Sequence, residues 1–145
     1  MKKCNEVMTK KTVCCRPDDM VAKAAQLMQS ENIGSIPVIE NEQTQKLVGI
    51  VTDRDLALKI VAKGQDAKST KVEAVMTRQM VTCRAGDDLQ IALDAMAEHQ
   101  LRRIPIVDND NRIVGIIAQA DVATRVNQPG KTAEMVKEIS QSNTK

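Results

Sequence analysis

Apolar residues recur along this chain in two patterns, a three-and-four spacing and short continuous runs, and the two predict different elements. Val21, Ala24, Ala25 and Met28 share one face of a predicted helix, and Pro17-Asp18-Asp19 just ahead supplies helix-start chemistry. A strand is predicted at Ile36 to Glu40. A polar turn follows, then the run Leu47-Val48-Gly49-Ile50-Val51, together a hairpin of mostly buried strands. Thr12 to Cys15 reads as a short strand before the helix, and Thr52-Asp53-Arg54-Asp55 opens a further helix, Leu56 to Ala62.

The whole pattern is then written a second time. Val7-Met8-Thr9 recurs as Val75-Met76-Thr77, Cys15-Arg16 as Cys83-Arg84, Ile36-Pro37-Val38 as Ile104-Pro105-Ile106, and Val48-Gly49-Ile50 as Val114-Gly115-Ile116. Two extra residues around Gln43 to Gln45 in the first copy are the one break in register. The second helix carries its stripe at Leu89, Ala92, Leu93 and Met96 after Gly86-Asp87-Asp88, and the last strand ends at Ile117 before Ala118-Gln119-Ala120-Asp121. Met28 and Met96 are read as core filler. A sequence written twice predicts a structure built twice: an α+β chain of two β-α-β-β-α repeats, at 7–64 and 75–126. A polar linker at 65–74 separates them, and a tail at 127–145 carries a short amphipathic helix at about 131–140.

Composition narrows the possibilities. The 145 residues suit one domain or two halves. There is no Phe, Tyr or Trp, so the core is aliphatic and no aromatic platform exists for stacking bases. A net charge of +2, with both signs interspersed, argues against a nucleic-acid surface. No run approaches the roughly 18–20 apolar residues of a membrane span, and the N-terminus lacks the apolar stretch of a secretory signal, so a cytoplasmic protein is expected. Cys4, Cys14, Cys15 and Cys83 follow no metal-ligand spacing and are expected to be reduced thiols, some of them buried. Cys15 and Cys83, at equivalent repeat positions, are the pair with any redox interest. His99 is the lone histidine, at a polar helix end, and no nucleophile-base set or phosphate-binding P-loop accompanies it, so an enzyme is not expected.

The linked motifs identify the chain as resembling a CBS-domain pair, or Bateman module, over about residues 7–126. They are the Val-Met-Thr lead-in, the helix with Ala and Met inside, the Ile-Pro-Val strand, and Gly49-Ile50-Val51-Thr52-Asp53-Arg54-Asp55 with its degenerate second copy Gly115 to Asp121. The resemblance implies two repeats packed through their sheets about a pseudo-twofold axis. It also implies two clefts for AMP, ADP, ATP or S-adenosylmethionine, a homodimer, an unknown regulated protein, and no required cofactor. It places Thr52, Arg54 and Asp55 of the first copy at one ligand, completed by Thr77, Val81, Arg102, Arg103 and Ile104, with Asp121 the acceptor of the second site and Ser35 and Ile36 also among the ligand-binding residues.

Physical chemistry supports part of that set independently. A strand that ends where a helix begins presents unpaired N–H groups, Thr52 adds a hydroxyl donor, and Asp55 one turn on can accept two neighbouring ribose hydroxyls. Arg102 and Arg103 can neutralise phosphate, which the matching Gly34-Ser35 cannot. Ile36 and Ile104 are expected to be part core and part wall for a base. Because Ala118 replaces the hydroxyl in the second copy, the two sites should be unequal, by about 1.5–3 kcal/mol for the lost hydrogen bond to a charged phosphate. The competing reading is a ligand-free dimerising scaffold in which Thr52 and Asp55 are only helix caps.

Overall fold

Both predicted hairpins form in the computed structural model, which describes residues 2–120 and 122. In chain order the elements are helix α1 (Cys4–Val7), helix α2 (Val21–Glu31), strands β1 (Ser35–Ile39) and β2 (Leu47–Thr52), and helix α3 (Asp53–Leu56), which continues as a π turn over Ala57–Val61. A 3-10 turn at Val72–Ala74 precedes strand β3 (Cys83–Arg84), helix α4 (Leu89–His99), and strands β4 (Arg103–Val107) and β5 (Ile113–Ala118). The chain divides into two compact units, Val13–Met80, and Met1–Thr12 with Val81–Lys145. The predicted tail helix at 131–140 lies outside the described residues.

In the Val13–Met80 unit, β1 and β2 pair antiparallel, with Ser35 opposite Thr52 and Ile36 opposite Val51. Thr12 to Cys15 is not the expected strand. Cys15 makes a single parallel bridge, donating its N–H to the Pro37 carbonyl (3.0 Å) and accepting from Ile39 (2.8 Å). In the other unit the equivalent residues form β3, parallel to β4 and extended by a bond from the Ala85 N–H to the Val107 carbonyl (3.2 Å). Pro17 stands where Ala85 does and has no N–H to give, so the first copy stops one residue sooner. β4 and β5 pair antiparallel with Arg103 opposite Ala118.

The helix starts also differ from expectation. Asp19 and Asp87 do not cap α2 and α4; each carboxylate accepts from a backbone N–H three residues earlier, Arg16 and Arg84 (both 2.8 Å), closing a turn ahead of the helix. The N-cap residues are Met20 and Asp88, neither making a side-chain cap bond. Distant carbonyls serve the first N–H groups instead: Thr70 for Val21 (2.8 Å), Ala67 for Ala22 (2.9 Å) and Lys2 for Leu89 (2.8 Å). The Asp88 carboxylate is engaged by Lys3 (2.5 Å).

Ala25 is exposed rather than part of the buried stripe. The face of α2 that packs inward carries Val21, Ala24 and Met28 with Leu27 half-buried beside them, because turning toward Leu27 buries more apolar area than turning toward Ala25. On α4 the equivalent position is Leu93, and all four predicted residues are buried. β2 alternates buried and half-buried positions rather than burying continuously, so Val48 and Ile50 sit on its less covered face.

The Val-Met-Thr lead-ins pack across the repeat order. Thr77 exchanges backbone hydrogen bonds with Ile50 of β2 (2.8 and 2.9 Å), and Thr9 with Ile116 of β5 (2.8 and 3.0 Å). The lead-in that follows the first copy in sequence thus completes that copy's unit, and the one that opens the chain completes the unit of the second copy. Glycine is required at both seats: a Cβ on Gly49 would meet Met76 Sδ at 2.7 Å and the Thr77 carbonyl at 3.2 Å, and one on Gly115 would collide with Met8. Each unit has its own aliphatic core. Ile36, Val38, Val51 and Val72 are fully buried in one and Val7, Met96, Ile104, Ile106 and Ile117 in the other, each worth about 1.5–3 kcal/mol of burial.

Candidate functional site

Where β2 ends, Thr52 is extended (φ −119°, ψ 162°) and the next residue is helical, so Thr52 is the N-cap of α3. Thr52 Oγ accepts from the Asp55 N–H (3.1 Å), and Asp55 Oδ2 accepts from the Thr52 N–H (3.0 Å), a reciprocal capping box. The helix therefore begins at Asp53, three residues before the predicted start at Leu56, and from Ala57 it widens into a π turn closed by the bond from Ala62 N–H to Ala57 O (2.9 Å). Asp53 donates its N–H to the Gly34 carbonyl (2.9 Å) and carries its own carboxylate against the space where a Gly34 side chain would be.

Asp55 is the buried charged residue among the described residues, with 9 % of its surface exposed. Its second oxygen, Oδ1, lies 3.1 Å from Lys59 Nζ, and that ammonium also donates to the Val75 carbonyl (2.8 Å). A carboxylate offers about four lone-pair positions, two per oxygen, and contacts among the described residues take one on each oxygen, which leaves one on each for a paired-hydroxyl ligand. Thr52 Oγ uses a lone pair in the cap, which leaves its O–H as a donor.

Thr52, Arg54, Asp55, Ser35 and Ile36 of the first copy and Thr77 of the second lead-in fall in one unit. Ser35 is half-buried directly opposite Thr52, Thr77 is exposed and bonded through its backbone to Ile50, and Arg54 is exposed on the first turn of α3. Ile36 is fully buried, on the core side of its expected role, and so is Ile104. Val81, Arg102, Arg103 and Ile104 fold in the other unit. There Val81 packs half-buried on the core, Arg102 is exposed and gives its carbonyl to the Gln119 N–H (2.9 Å), and Arg103 stands opposite Ala118. That bond is the counterpart of Gly34 to Asp53, so the backbone corner is kept while the Ser35–Thr52 hydroxyl pair becomes Arg103–Ala118. Asp121 lies outside the described residues.

Sequence reasoning missed Lys59. Its signal was present as an Asp and a Lys four residues apart on one helix face, the spacing at which side chains meet.

The thiols form no site. Cys4, Cys15 and Cys83 are buried and Cys14 half-buried, none of them in a disulfide, with Cys15 and Cys83 in different units. Burial pushes the Cys4 thiol up to about 12 and Cys15 up to about 11, and raises Cys83 as well, so all three stay protonated and unreactive near neutral pH. Among the described residues, no three His, Cys, Asp or Glu side chains gather as a metal site, and no helix is long and apolar enough to cross a membrane. A shallow polar cavity of about 330 Å³ lies in the second unit between Thr82, Asp87, Asp108 and Asn111. Its carboxylates are already engaged, Asp87 by Arg84 N–H and Asp108 by Arg112.

Two repeats of this order, each ending a hairpin at a strand-to-helix corner, define a CBS-type pair. The CBS domain profile matches residues 4–62 and again 72–127, and the chain belongs to this family. It is 41% identical over 128 residues to the CBS domain-containing protein YhcV of Bacillus subtilis, covering 88% of this chain and 86% of that protein. It is 37% identical over 129 residues to the inosine-5'-monophosphate dehydrogenase of Methanocaldococcus jannaschii, but spans only 24% of that enzyme. Among solved structures it is similar to Hypoxic Response Protein I with two coordinated zinc ions (TM-score 0.76, 29% identity, 86% of this chain and 99% of that one). It is similar also to the CBS domain pair of protein MJ0100 in complex with 5-methylthioadenosine and S-adenosyl-L-methionine (0.71, 25%, 85% and 94%). A third is CBSX2 in complex with AMP (0.72, 26%, 88% and 98%).

Proposed function

We propose that this chain is a regulatory module that binds an adenosine-containing nucleotide at the Thr52–Asp55 corner, of the AMP, ADP, ATP or S-adenosylmethionine class. It signals the occupied state through its conformation or its contacts with a second copy. The observation that carries the reading is Asp55: a largely buried carboxylate, held by Thr52 and Lys59, with an acceptor position left on each oxygen. Two adjacent acceptors suit the neighbouring hydroxyls of a ribose. The Thr52 hydroxyl suits a phosphate, with Arg54 as an available cation in the same unit; the N–H groups of Thr52, Asp53, Arg54 and Asp55, expected to be unpaired, are engaged within the corner. Ser35 and Thr77 border the same corner, and the base rests on aliphatic surface, since the chain has no aromatic side chain. The AMP of CBSX2 and the S-adenosylmethionine of MJ0100 support the ligand class.

The module is a binding protein without catalytic chemistry of its own, working in the cytoplasm on a regulated protein. Exposed Leu58 and Val61 after α3, and Ile91 on α4, are apolar surface that a second copy would cover in a homodimer. A second reading, a dimerising scaffold without ligand, draws on the completed capping box, because Thr52 and Asp55 already satisfy each other. Thermal melting with AMP, ADP, ATP or S-adenosylmethionine at millimolar concentration decides between them. A raised Tm that disappears in Asp55→Ala is expected; no shift with any of the four would remove the sensing function and leave the scaffold.

A further inference from the structure

Among the described residues, Lys59 bridges the candidate ligand carboxylate and the lead-in segment. Its ammonium lies 3.1 Å from Asp55 Oδ1 and 2.8 Å from the Val75 carbonyl. Val75 is itself buried, and the two residues after it are pinned by their amides, Met76 to the Val72 carbonyl (2.9 Å) and Thr77 to the Ile50 carbonyl (2.8 Å). Beyond Met80 the chain enters the second unit. The π turn sits at this place, with Lys59 at its centre, and such turns concentrate where function displaces a helix from regular geometry.

An ammonium shared between two acceptors transmits a change at either one. When ribose hydroxyls engage Asp55, the carboxylate is fixed and its negative charge redistributed, and the hold of Lys59 on the Val75 carbonyl changes with it. A ligand that alters that balance has a differential interaction with two states of the segment, which coupling requires. We propose that Lys59 is a positioning residue that couples occupancy of Asp55 to the Val72–Met80 segment, which leads to one of the two places where the chain passes between the units. The ligand-dependent half of this inference rests on the proposed function, whereas the coupling of Asp55 to the segment does not.

Amide hydrogen exchange on the full chain tests it, comparing the natural protein with Lys59→Arg, Lys59→Gln and Lys59→Met, with and without AMP, occupancy being fixed for each by calorimetry. AMP should slow exchange at Met76 and Thr77 by about fivefold or more, the lower end of ordinary coupling between sites. Lys59→Arg should keep the response, and Lys59→Met and Lys59→Gln should lose it while still occupied. A full response in occupied Lys59→Met or Lys59→Gln would overturn the inference. If none of AMP, ADP, ATP and S-adenosylmethionine binds the natural protein, the proposed function falls but the coupling is still decided. The same arm decides it if AMP fails to bind the Lys59 variants. Asp55→Asn should speed exchange at Met76 and Thr77 when Lys59 is present and leave it unchanged in a Lys59→Gln background, and equal acceleration in both would refute the link.

Discussion

Thr52 has two roles in this account, and one substitution separates them. Thr52→Ala removes the oxygen that accepts from the Asp55 N–H at 3.1 Å, and loss of such a cap costs about 1 kcal/mol. For a chain of this length that lowers Tm by about 2–4 °C. The cap is made with or without ligand, so its loss alone leaves the dissociation constant nearly unchanged. Loss of the O–H that donates to a phosphate acts on the bound state only, and is worth about 1.5–3 kcal/mol, or about 10- to 150-fold in affinity. Thr52→Ser keeps the hydroxyl and should retain both stability and affinity within a few tenths of a kcal/mol. Urea unfolding measures the first effect and titration calorimetry with AMP the second. A Thr52→Ala protein that is destabilised as calculated yet binds AMP as tightly as the natural one would refute the phosphate role and reduce Thr52 to a cap.

Other consequences follow from packing and titration. Gly49→Ala sets a methyl 2.7 Å from Met76 Sδ and 3.2 Å from the Thr77 carbonyl, so the lead-in must shift; urea unfolding should show a loss of about 1–3 kcal/mol, and an unchanged midpoint would mean the lead-in is loosely held. Gln100 ends α4 in the left-handed conformation (φ 57°), where Asn32 (φ 54°) serves α2 with a residue better suited to it; Gln100→Gly should raise stability by about 0.5–1 kcal/mol in thermal melts, and a fall would contradict the strain. Cys4 and Cys15 hold their protons in the native state up to about 12 and 11, while unfolded thiols ionise near about 8.5. Above that pH the unfolded chain binds fewer protons than the native one, so stability is constant at neutral pH and falls as pH rises through the raised values. The decline should be shallower in the Cys4→Ala/Cys15→Ala protein, and an equal slope would show that the thiols do not contribute.

The repeat, the hairpins and the corner at Thr52 were legible because each depends on local pattern: period, a polar turn, and a hydroxyl three residues before a carboxylate. What was not legible depends on partners distant in sequence. Nothing near Pro17-Asp18-Asp19 announces that Thr70 and Ala67 will cap α2, which is why the aspartates were expected to do so. The short run at Thr12 to Cys15 makes a single bridge in place of the expected strand, and the signal for that is Pro17, which has no N–H for the next ladder bond. The stripe on α2 was placed by spacing alone, and the competition between Ala25 and Leu27 for the core is settled by side-chain size. The seats of Met8 on Gly115 and Met76 on Gly49 required the fold itself, since each joins segments far apart in the chain.

The central claim is that the Asp55 carboxylate receives the ribose of an adenosine nucleotide. Equilibrium dialysis of labelled AMP against the natural protein and Asp55→Ala, with unlabelled ADP, ATP and S-adenosylmethionine as competitors, tests it most directly. The account predicts saturable uptake by the natural protein, displaced by at least one competitor and lost in an Asp55→Ala protein that is still folded. Uptake undiminished in Asp55→Ala, or none by the natural protein with labelled AMP, ADP, ATP or S-adenosylmethionine at millimolar concentration, would contradict it.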